Sequence, residues 1–320
     1  MSLTFKVGEV PHTKPFQFAD LAELMILVQL SAQVSKADLD SLINTGNLDS
    51  DPDGDRLEDE QLRAQQTHDR SSEDCFRQLE YRQGALDHAY PFSLEDALLT
   101  ARATITDAGY IYLFLLICSR LGSFSGDAGF HQDCAKTFTE ISAVALRASL
   151  NGSADVYIFD AGSTDRAVHF HTDLRQALRR LATQLNATPI EDLINQQTAS
   201  GDGGLDLVAI NRLGDSAKGV LAYFGQCAAQ MKGWPKKTLE AKRTTSFFSM
   251  GHDASNLLYT PVMYRKSTGR WVNDLHSHEC IIMDRVRILR ALQAEAVEMP
   301  TPLLEKMRTV VNNVTSIEVA

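Results

Sequence analysis

Two oxygen-bearing side chains at neighbouring strand ends are the strongest chemical signal in the sequence. Asp206 ends the glycine-rich turn "GDGGLD" (201–206), and Gln226 lies near the end of the next strand-like run, "GVLAYFGQC" (219–227). Glycine loses more backbone entropy on folding than any other residue, so this turn indicates that something approaches the backbone closely. In an antiparallel hairpin the start of one strand lies beside the end of its partner, which would bring both side chains to one sheet edge. Carboxylate and amide oxygens are ligands that suit Mg²⁺.

A small sheet flanked by helices would hold these residues in place, and the sequence patterns predict one. Apolar residues three and four apart predict helices, and short apolar or alternating runs predict strands. The fold class is therefore mixed α/β, with a helical N-terminal region attached. Predicted helices cover 17–45, 93–121 (one helix or two, opened by a capping box at Ser93 and Asp96), 131–150, 172–186 and 279–297, and predicted strands cover 154–162, 205–210, 219–227 and 257–264.

The patterns divide the chain into two regions. Residues 1–125 are predicted to be helical, with an acidic linker near 46–74, and residues 126–320 are predicted to form the α/β domain with a C-terminal helix. The linker contains "DPDGDRLED", which has the composition of a calcium loop. An EF-hand beginning at its first aspartate needs glycine at the sixth place and glutamate at the twelfth, where this chain has Arg56 and Leu62. A solvated linker is the favoured interpretation.

The composition predicts a protein of a reducing compartment. The net charge of the 320 residues is −10, which excludes a surface that is basic throughout but leaves room for a local basic patch. The five cysteines contain no C-x-x-C pair, which argues against a disulfide scaffold and a structural zinc site. The N-terminal residues lack a signal-peptide pattern, and the longest apolar run, 110–119, is too short to span a bilayer. We therefore expect a cytoplasmic protein with no membrane partner.

Several catalytic signatures are incomplete. No P-loop motif occurs, and "GDGGLD" has Asp206 where a dinucleotide-binding loop needs its final glycine. In "GSFSG", Phe124 replaces the nucleophilic serine of a hydrolase elbow. His276, His278 and Cys280 alternate in "HSHEC", but a polar loop explains them better than a metal site. Hydrolysis assisted by a divalent cation is the chemistry that remains.

The loop, the hairpin and the glutamine together resemble the PD-(D/E)XK nuclease superfamily. The likeness is greatest to its Mrr-type restriction endonuclease branch, in which the loop reads G-D-G-G-h-D and the second strand ends Q-x-K. The segment "CAKTFTEISAVAL" resembles the opening helix of that superfamily, and the resemblance implies that Glu140 joins Asp206 and Gln226 around Mg²⁺, or Mn²⁺. It covers about residues 131–264 and implies a restriction-endonuclease-like sheet flanked by helices.

One position departs from that pattern. The family lysine, which orients the attacking water, is replaced by Ala228. In relatives whose lysine has migrated, a neighbouring helix supplies the amine, and a lysine side chain reaches about 6 Å from its Cα. Lys232 is the first candidate here and Lys237 the second. The same basic segment is predicted to contact the nucleic acid through Lys232, Trp234, Lys236, Lys237, Lys242 and Arg243.

Two functions are consistent with this sequence. The first is a metal-dependent endonuclease that hydrolyses DNA, with Asp206, Gln226 and Lys232 or Lys237 as catalytic residues and, as the resemblance implies, a role in restriction or defence against phage. The second is a catalytically inactive nuclease fold that binds a partner protein or a second copy of itself and regulates a complex. There is also a purely structural alternative to a metal site. In it, the glycines of 201–206 only provide the positive φ angles of a turn, and Asp206 only caps that turn.

Overall fold

The fold was analysed in a computed structural model, and it belongs to the mixed α/β class. About 50% of the chain is helical and 16% is in strands, with a mixed sheet flanked by helices. The structure describes residues 3–46, 58–127, 129–215, 217–230, 233–294 and 299–317.

Two compact units make up the chain. Unit 1 contains Met1–Gln132, Val262–Val272 and Leu304–Ala320, and unit 2 contains Asp133–Pro261 and Asn273–Leu303. Both units are discontinuous in sequence. The sequence patterns predict two continuous regions with a single boundary, between residues 125 and 126.

The helices and strands of the described residues are as follows. The helices are α1 Pro15–Leu27, α2 Lys36–Gly46, α3 Glu58–Leu86, α4 Asp107–Ser119, α5 Phe130–Ser149, α6 Leu174–Gln184, α7 Glu191–Asn195, α8 Glu240–Arg243, α9 Arg285–Ala294 and α10 Thr301–Thr315. The strands are β1 Thr4–Phe5, β2 Gln33–Ser35, β3 Phe92–Glu95, β4 Leu98–Ala101, β5 Phe124–Ser125, β6 Asp155–Ile158, β7 Thr188–Pro189, β8 Leu207–Asn211, β9 Leu221–Cys227, β10 Phe248–Ser249, β11 Ser255–Tyr259 and β12 Ile281–Met283. Short 3₁₀ turns at Asp87–Ala89, Leu121–Ser123, Trp234–Lys237, Thr244–Phe247 and Asp274–Ser277 and a π-helical turn at Arg166–Phe170 complete the path.

Unit 2 is built on a five-stranded sheet with the order β12-β11-β9-β8-β6. Strands β6, β8 and β9 are antiparallel neighbours, while β9, β11 and β12 run parallel. The β8–β9 hairpin pairs Leu207 with Gly225 and Asn211 with Leu221, which confirms the predicted hairpin. Because β9 and β11 are parallel, the chain after β9 must cross back to the other end of the sheet.

Helix α6 covers one face of this hairpin. Its N-cap is Asp173, whose side chain accepts a hydrogen bond from the backbone N–H of Gln176, 3.0 Å away. The apolar residues of α6 recur every three or four positions, so they form one stripe that packs against the sheet. The buried cluster includes Leu174, Ala177, Leu178 and Leu181 of the helix and Val208, Ile210 and Phe224 of the hairpin.

Unit 1 combines helices with a three-stranded sheet of order β2-β4-β3. Helices α1 and α4 are buried along most of their lengths, which fits their almost unbroken apolar sequences. Chain segments that lie far apart in sequence meet here. The Phe16 and Tyr264 rings pack edge to face with centroids 5.5 Å apart, and the Arg308 side chain binds Asp107 and lies over the Tyr110 ring.

Three sequence predictions are wrong about secondary structure. Residues 92–101 form the β3–β4 hairpin rather than the start of a helix, because Asp96 and Ala97 adopt positive φ of 50° and 58° and turn the chain. Helix α4 begins instead after Thr106, whose hydroxyl accepts a hydrogen bond from the N–H of Gly109. The predicted helices over 17–45 and 279–297 are each interrupted by a strand, β2 and β12.

The acidic linker is a fourth correction. Residues from Glu58 onward belong to α3, although their composition suggested a solvated loop. The rest of the predicted linker, 47–57, lies outside the described residues. None of the described helices is both long enough and apolar enough to cross a membrane.

Candidate functional site

Asp206 is held at the mouth of the β8–β9 hairpin by three backbone contacts. Its N–H donates to the carbonyl of Gly225 at 2.9 Å, and its carbonyl accepts from the N–H of Phe159 at 2.7 Å. The Oδ2 atom accepts a hydrogen bond from the N–H of Cys227 at 2.6 Å. These contacts tie the residue to both β9 and the end of β6.

Two further aspartates converge on Asp206. Asp160 follows β6, Asp202 lies in the glycine-rich turn, and one carboxylate oxygen from each of the three lies within 4.8 Å of the others. Asp202 is oriented by its own turn, since its Oδ1 accepts a hydrogen bond from the N–H of Gly204 at 2.7 Å. Asp202 and Asp206 share the glycine-rich turn before β8, and the β6–β8 pairing brings Asp160, which follows β6, close to that turn.

The surroundings of Asp206 shift its pKa. Burial raises the pKa of Asp206 to about 7, the hydrogen bond from Cys227 opposes this shift, and the charges of Asp202 and Asp160 add to it. The positive charge of Lys237 acts in the opposite direction and favours the ionised form. Burial, the largest of these influences, and the two neighbouring carboxylates together make the ionised form of Asp206 less favourable than in water.

Gln226 supplies a buried oxygen that no described residue satisfies. Its side chain is 6% exposed, and Oε1 accepts no hydrogen bond in the described part of the chain. The hairpin register places Gln226 opposite Asp206, one position beyond the Leu207–Gly225 pair. An unpaired buried polar atom costs about 1–3 kcal/mol, so a ligand for this oxygen would be strongly favoured.

The glycine-rich turn leaves room for this oxygen. A Cβ atom on Gly204 would lie 3.8 Å from Gln226 Oε1 and 3.3 Å from the Cβ of Glu240, and the residue has a φ of +80°. A larger residue at this position would be strained and would crowd the space between the turn and the amide. The close approach predicted from the sequence is therefore found at Gly204.

Glu140, the ligand implied by the resemblance, lines a cleft beside the cluster. The cleft has a volume of about 270 Å³ and lies between α5 and the loop after β6. Asp160 belongs to both the cleft and the aspartate cluster, and thereby connects Glu140 to it. Lys136, one helical turn before Glu140, lines the same cleft and forms no ion pair with any described residue.

The predicted basic segment contributes unequally to this region. Lys232 lies outside the described residues. Lys237 is close enough to lower the pKa of Asp206, and Lys236 and Arg243 are exposed. Lys242 instead pairs with Glu279 at 3.2 Å, which anchors it against its own unit.

Trp234 corrects one part of the predicted nucleic-acid surface. Its side chain is 2% exposed and lies edge to face with His276, with ring centroids 6.0 Å apart. An indole buried in this way offers no open ring face on which a base could stack, and it acts as an anchor for the segment that carries Lys236 and Lys237.

Asp160, Asp202 and Lys136 are residues that the sequence analysis missed as site residues. Asp160 directly follows a predicted strand and Asp202 lies in the quoted turn, so both carried a usable signal. Lys136 lies in the helix that resembles a nuclease opening helix, four residues before Glu140, and only the structure shows that it lines the cleft.

Comparisons with protein-family models, with curated proteins and with solved structures found no match to this chain. The geometry of the site is therefore what indicates a function for this chain. That geometry consists of converging carboxylates, a buried amide oxygen without a partner and nearby lysines, an arrangement of oxygen donors suited to a hard divalent cation.

Proposed function

We propose that this protein is a metal-dependent endonuclease that hydrolyses DNA phosphodiesters on a restriction-endonuclease-like fold. The observation that carries the proposal is the convergence of Asp160, Asp202 and Asp206 beside the unpartnered oxygen of Gln226. The predicted hairpin and the helix bearing Glu140 support it. A role in restriction or phage defence follows from the sequence resemblance and forms part of the proposal.

The donor set fits Mg²⁺ or Mn²⁺. Mg²⁺ binds oxygen at about 2.0–2.1 Å, so ligands on opposite sides of it are about 4.2 Å apart. The three carboxylate atoms lie within 4.8 Å of one another, and side-chain movements of less than about 1 Å would close the set. Binding would also relieve the repulsion that raises the pKa of Asp206 and would give Gln226 Oε1 a partner.

Each residue then has a defined task. Asp206, Asp160 and Gln226 would hold the cation, with Asp202 and Glu140 available as further ligands. A divalent cation bound to such a set polarises a phosphodiester and lowers the pKa of water. Lys237, Lys136 or Lys232 would orient the attacking water and stabilise the negative charge that develops on the phosphate.

Contact with the DNA backbone would be confined to a small area. The net charge of −10 opposes binding over most of the surface, and the exposed cations Lys236 and Arg243 lie in the segment after β9. Each phosphate neutralised by a lysine or arginine releases counterions, so binding should weaken steeply as salt increases.

The alternative function is a catalytically inactive nuclease fold that binds a partner. One observation favours it: Ala228 occupies the family lysine position, is 2% exposed, and its N–H donates to the carbonyl of Tyr259. No amine can come from that position. The alternative requires that none of the other lysines near the cluster replaces it.

Cleavage of DNA tests the proposal directly. Supercoiled and linear DNA are incubated with the protein in Mg²⁺, in Mn²⁺ and in EDTA. We expect metal-dependent cleavage that falls at least about 100-fold in Asp206→Ala, because loss of a metal site removes several kcal/mol of transition-state stabilisation. Asp215→Ala is the matched control, since Asp215 is an exposed aspartate in the turn at the opposite end of the same hairpin.

Two results would count against an active enzyme. Cleavage that persists in Asp206→Ala would show that another site, or a contaminant, is responsible. A wild type that binds Mg²⁺ and DNA without cleaving would favour the inactive alternative. Lys136→Ala, Lys232→Ala and Lys237→Ala in the same assay identify the amine by the largest loss of activity.

Gln226→Leu separates stability from metal binding. Without metal, the variant should be more stable than wild type by about 1 kcal/mol, because it removes a buried oxygen that lacks a partner. Its affinity for Mg²⁺ should fall, whereas Gln226→Glu should bind at least as tightly as wild type. Thermal unfolding in EDTA and calorimetric titration with Mg²⁺ measure the two effects. A Gln226→Leu variant that binds Mg²⁺ as well as wild type would exclude Gln226 as a ligand.

A further inference from the structure

Arg166 is a buried arginine whose guanidinium binds backbone rather than carboxylates. The residue is 0% exposed and forms no ion pair with any described acid. Its Nε donates to the carbonyl of His171 at 3.2 Å and its Nη2 to that of Thr172 at 3.1 Å. Its Nη1 donates to the carbonyls of Gly201 at 2.6 Å and Phe159 at 3.5 Å.

The two carbonyls bound by Nη1 have a particular position in the sequence. Phe159 immediately precedes Asp160, and Gly201 immediately precedes Asp202. One nitrogen of Arg166 therefore joins the two loops at the residues that lead into two of the three cluster acids. The guanidinium also lies over the Phe159 ring, 5.2 Å from its centroid, which fixes its orientation.

The charge of Arg166 acts on the same acids. Burial lowers the pKa of Arg166 below its usual value, while the negative charges of Asp202, Asp160 and Asp173 oppose that shift. The guanidinium thus offsets part of the repulsion between the cluster carboxylates without occupying the oxygens that a cation would need.

We propose that Arg166 is a positioning residue that holds the loops of Asp160 and Asp202 together, so that their carboxylates converge for a divalent cation. This inference rests on the proposed function. The turn it holds contains Gly201, Gly203 and Gly204 at positive φ, a backbone that would be entropically costly to order without a clamp. The planar fork of arginine is suited to this task, because several N–H donors stay in fixed directions.

A lysine could not replace Arg166 fully. An ammonium keeps the charge but carries its donors on one nitrogen, so it cannot reach carbonyls on several sides of the pocket. Arg166→Lys should therefore retain part of the function, and Arg166→Met, which keeps an unbranched stem but has no donor, should lose more.

The test compares these variants with a buried arginine elsewhere in unit 2. Arg285 is also 0% exposed and its Nε donates to the carbonyl of Pro261, so Arg285→Met is a matched control for loss of a buried guanidinium. Mn²⁺ affinity is measured by calorimetric titration of the full chain, and amide hydrogen exchange of residues 201–206 is measured without metal. We expect Mn²⁺ affinity to fall about 10- to 100-fold in Arg166→Met, the usual effect of losing a group that orients metal ligands. Exchange should be faster in 201–206, and Arg285→Met should change neither.

The outcomes separate this inference from the proposed function. Unchanged exchange in 201–206 with wild-type Mn²⁺ affinity in Arg166→Met would overturn the positioning role. A third outcome is that wild type binds no Mn²⁺, while the amide hydrogens of residues 201–206 still exchange faster in Arg166→Met. Arg166 then holds the two loops together as proposed, and the nuclease proposal is wrong. If both Arg166 variants unfold while Arg285→Met folds, Arg166 is a general structural support and the inference is wrong.

Discussion

Replacement of Arg82 by methionine should lower the free energy of unfolding of unit 1 by about 3–5 kcal/mol, the usual cost of leaving a buried charge without its partner. Arg82 is 0% exposed and donates to Glu23 Oε2 at 2.7 Å, to Asp20 Oδ1 at 2.8 Å and to the carbonyl of Phe16 at 2.6 Å. Its removal would leave two buried carboxylates in a region that water does not reach.

The surrounding hydrogen bonds make this effect large. Tyr90 and Tyr112 donate their hydroxyls to the two oxygens of Glu23, and Ser119 donates to Asp20, so both acids accept hydrogen bonds from neutral donors as well as from Arg82. Burial alone would lower the pKa of Arg82, but Glu23, Tyr112 and Asp20 together raise it well above its ordinary value. The attraction within the network therefore outweighs the desolvation of the guanidinium.

A second arginine of α3 provides the control. Arg77 pairs with Glu73 at 2.8 Å and Asp74 at 3.5 Å, but its side chain is 57% exposed, and Arg77→Ala should cost at most about 0.5 kcal/mol. The two tryptophans belong to different units, so Trp271 fluorescence in a Trp234→Phe background reports urea unfolding of unit 1. Equal losses in Arg82→Met and Arg77→Ala would contradict the importance of the buried network.

Asp160→Asn should reduce Mg²⁺-dependent cleavage about 100-fold or more and weaken Mg²⁺ binding, with no loss of stability in metal-free buffer. The functional loss is expected because Asp160 belongs to both the aspartate cluster and the cleft of Glu140. The free energy of unfolding in metal-free buffer should stay the same or increase. The negative charge of Asp160 repels that of Asp206 and contributes to the raised pKa of Asp206, and the substitution removes this repulsion.

Asp155→Asn is the matched control for this variant. Asp155 lies at the opposite end of β6, is exposed, and pairs with Arg212 at 3.0 Å. It should keep wild-type cleavage and Mg²⁺ affinity. If Asp160→Asn binds Mg²⁺ and cleaves as wild type does, Asp160 is not a ligand for the cation. Calorimetric titration, plasmid cleavage and thermal unfolding in EDTA measure the three quantities.

The part of the site that could be predicted from the sequence is the part that local rules determine. Asp206 and Gln226 lie on one hairpin, so alternation and turn composition placed them opposite each other. Asp160 joins them through pairing of β6 with β8, across a π-helical turn, helices α6 and α7 and strand β7, and no spacing rule specifies that contact. Arg166 acts only through backbone carbonyls, which leave no trace in residue types.

The errors in the N-terminal region have equally local causes. Asp96 and Ala97 turn the β3–β4 hairpin with positive φ, which residues other than glycine adopt rarely, so the segment carried no turn signal of the usual kind. The acidic composition of early α3 predicted a linker, yet glutamate, glutamine and arginine are also good helix formers. Burial of the later part of the helix, around Arg82, decides between the two.

The discontinuity of unit 1 sets an order for its assembly during synthesis. Phe16 packs on Tyr264, and Arg308 binds Asp107, so the first segment of unit 1 contacts residues that are synthesised much later. Between Gln132 and Leu304 the ribosome adds residues at about 5–20 per second, which delays closure by roughly 10–30 s. Over that interval unit 1 lacks its third segment, and a chain that ends before Leu304 would lack the contacts of Arg308 with Asp107 and Tyr110.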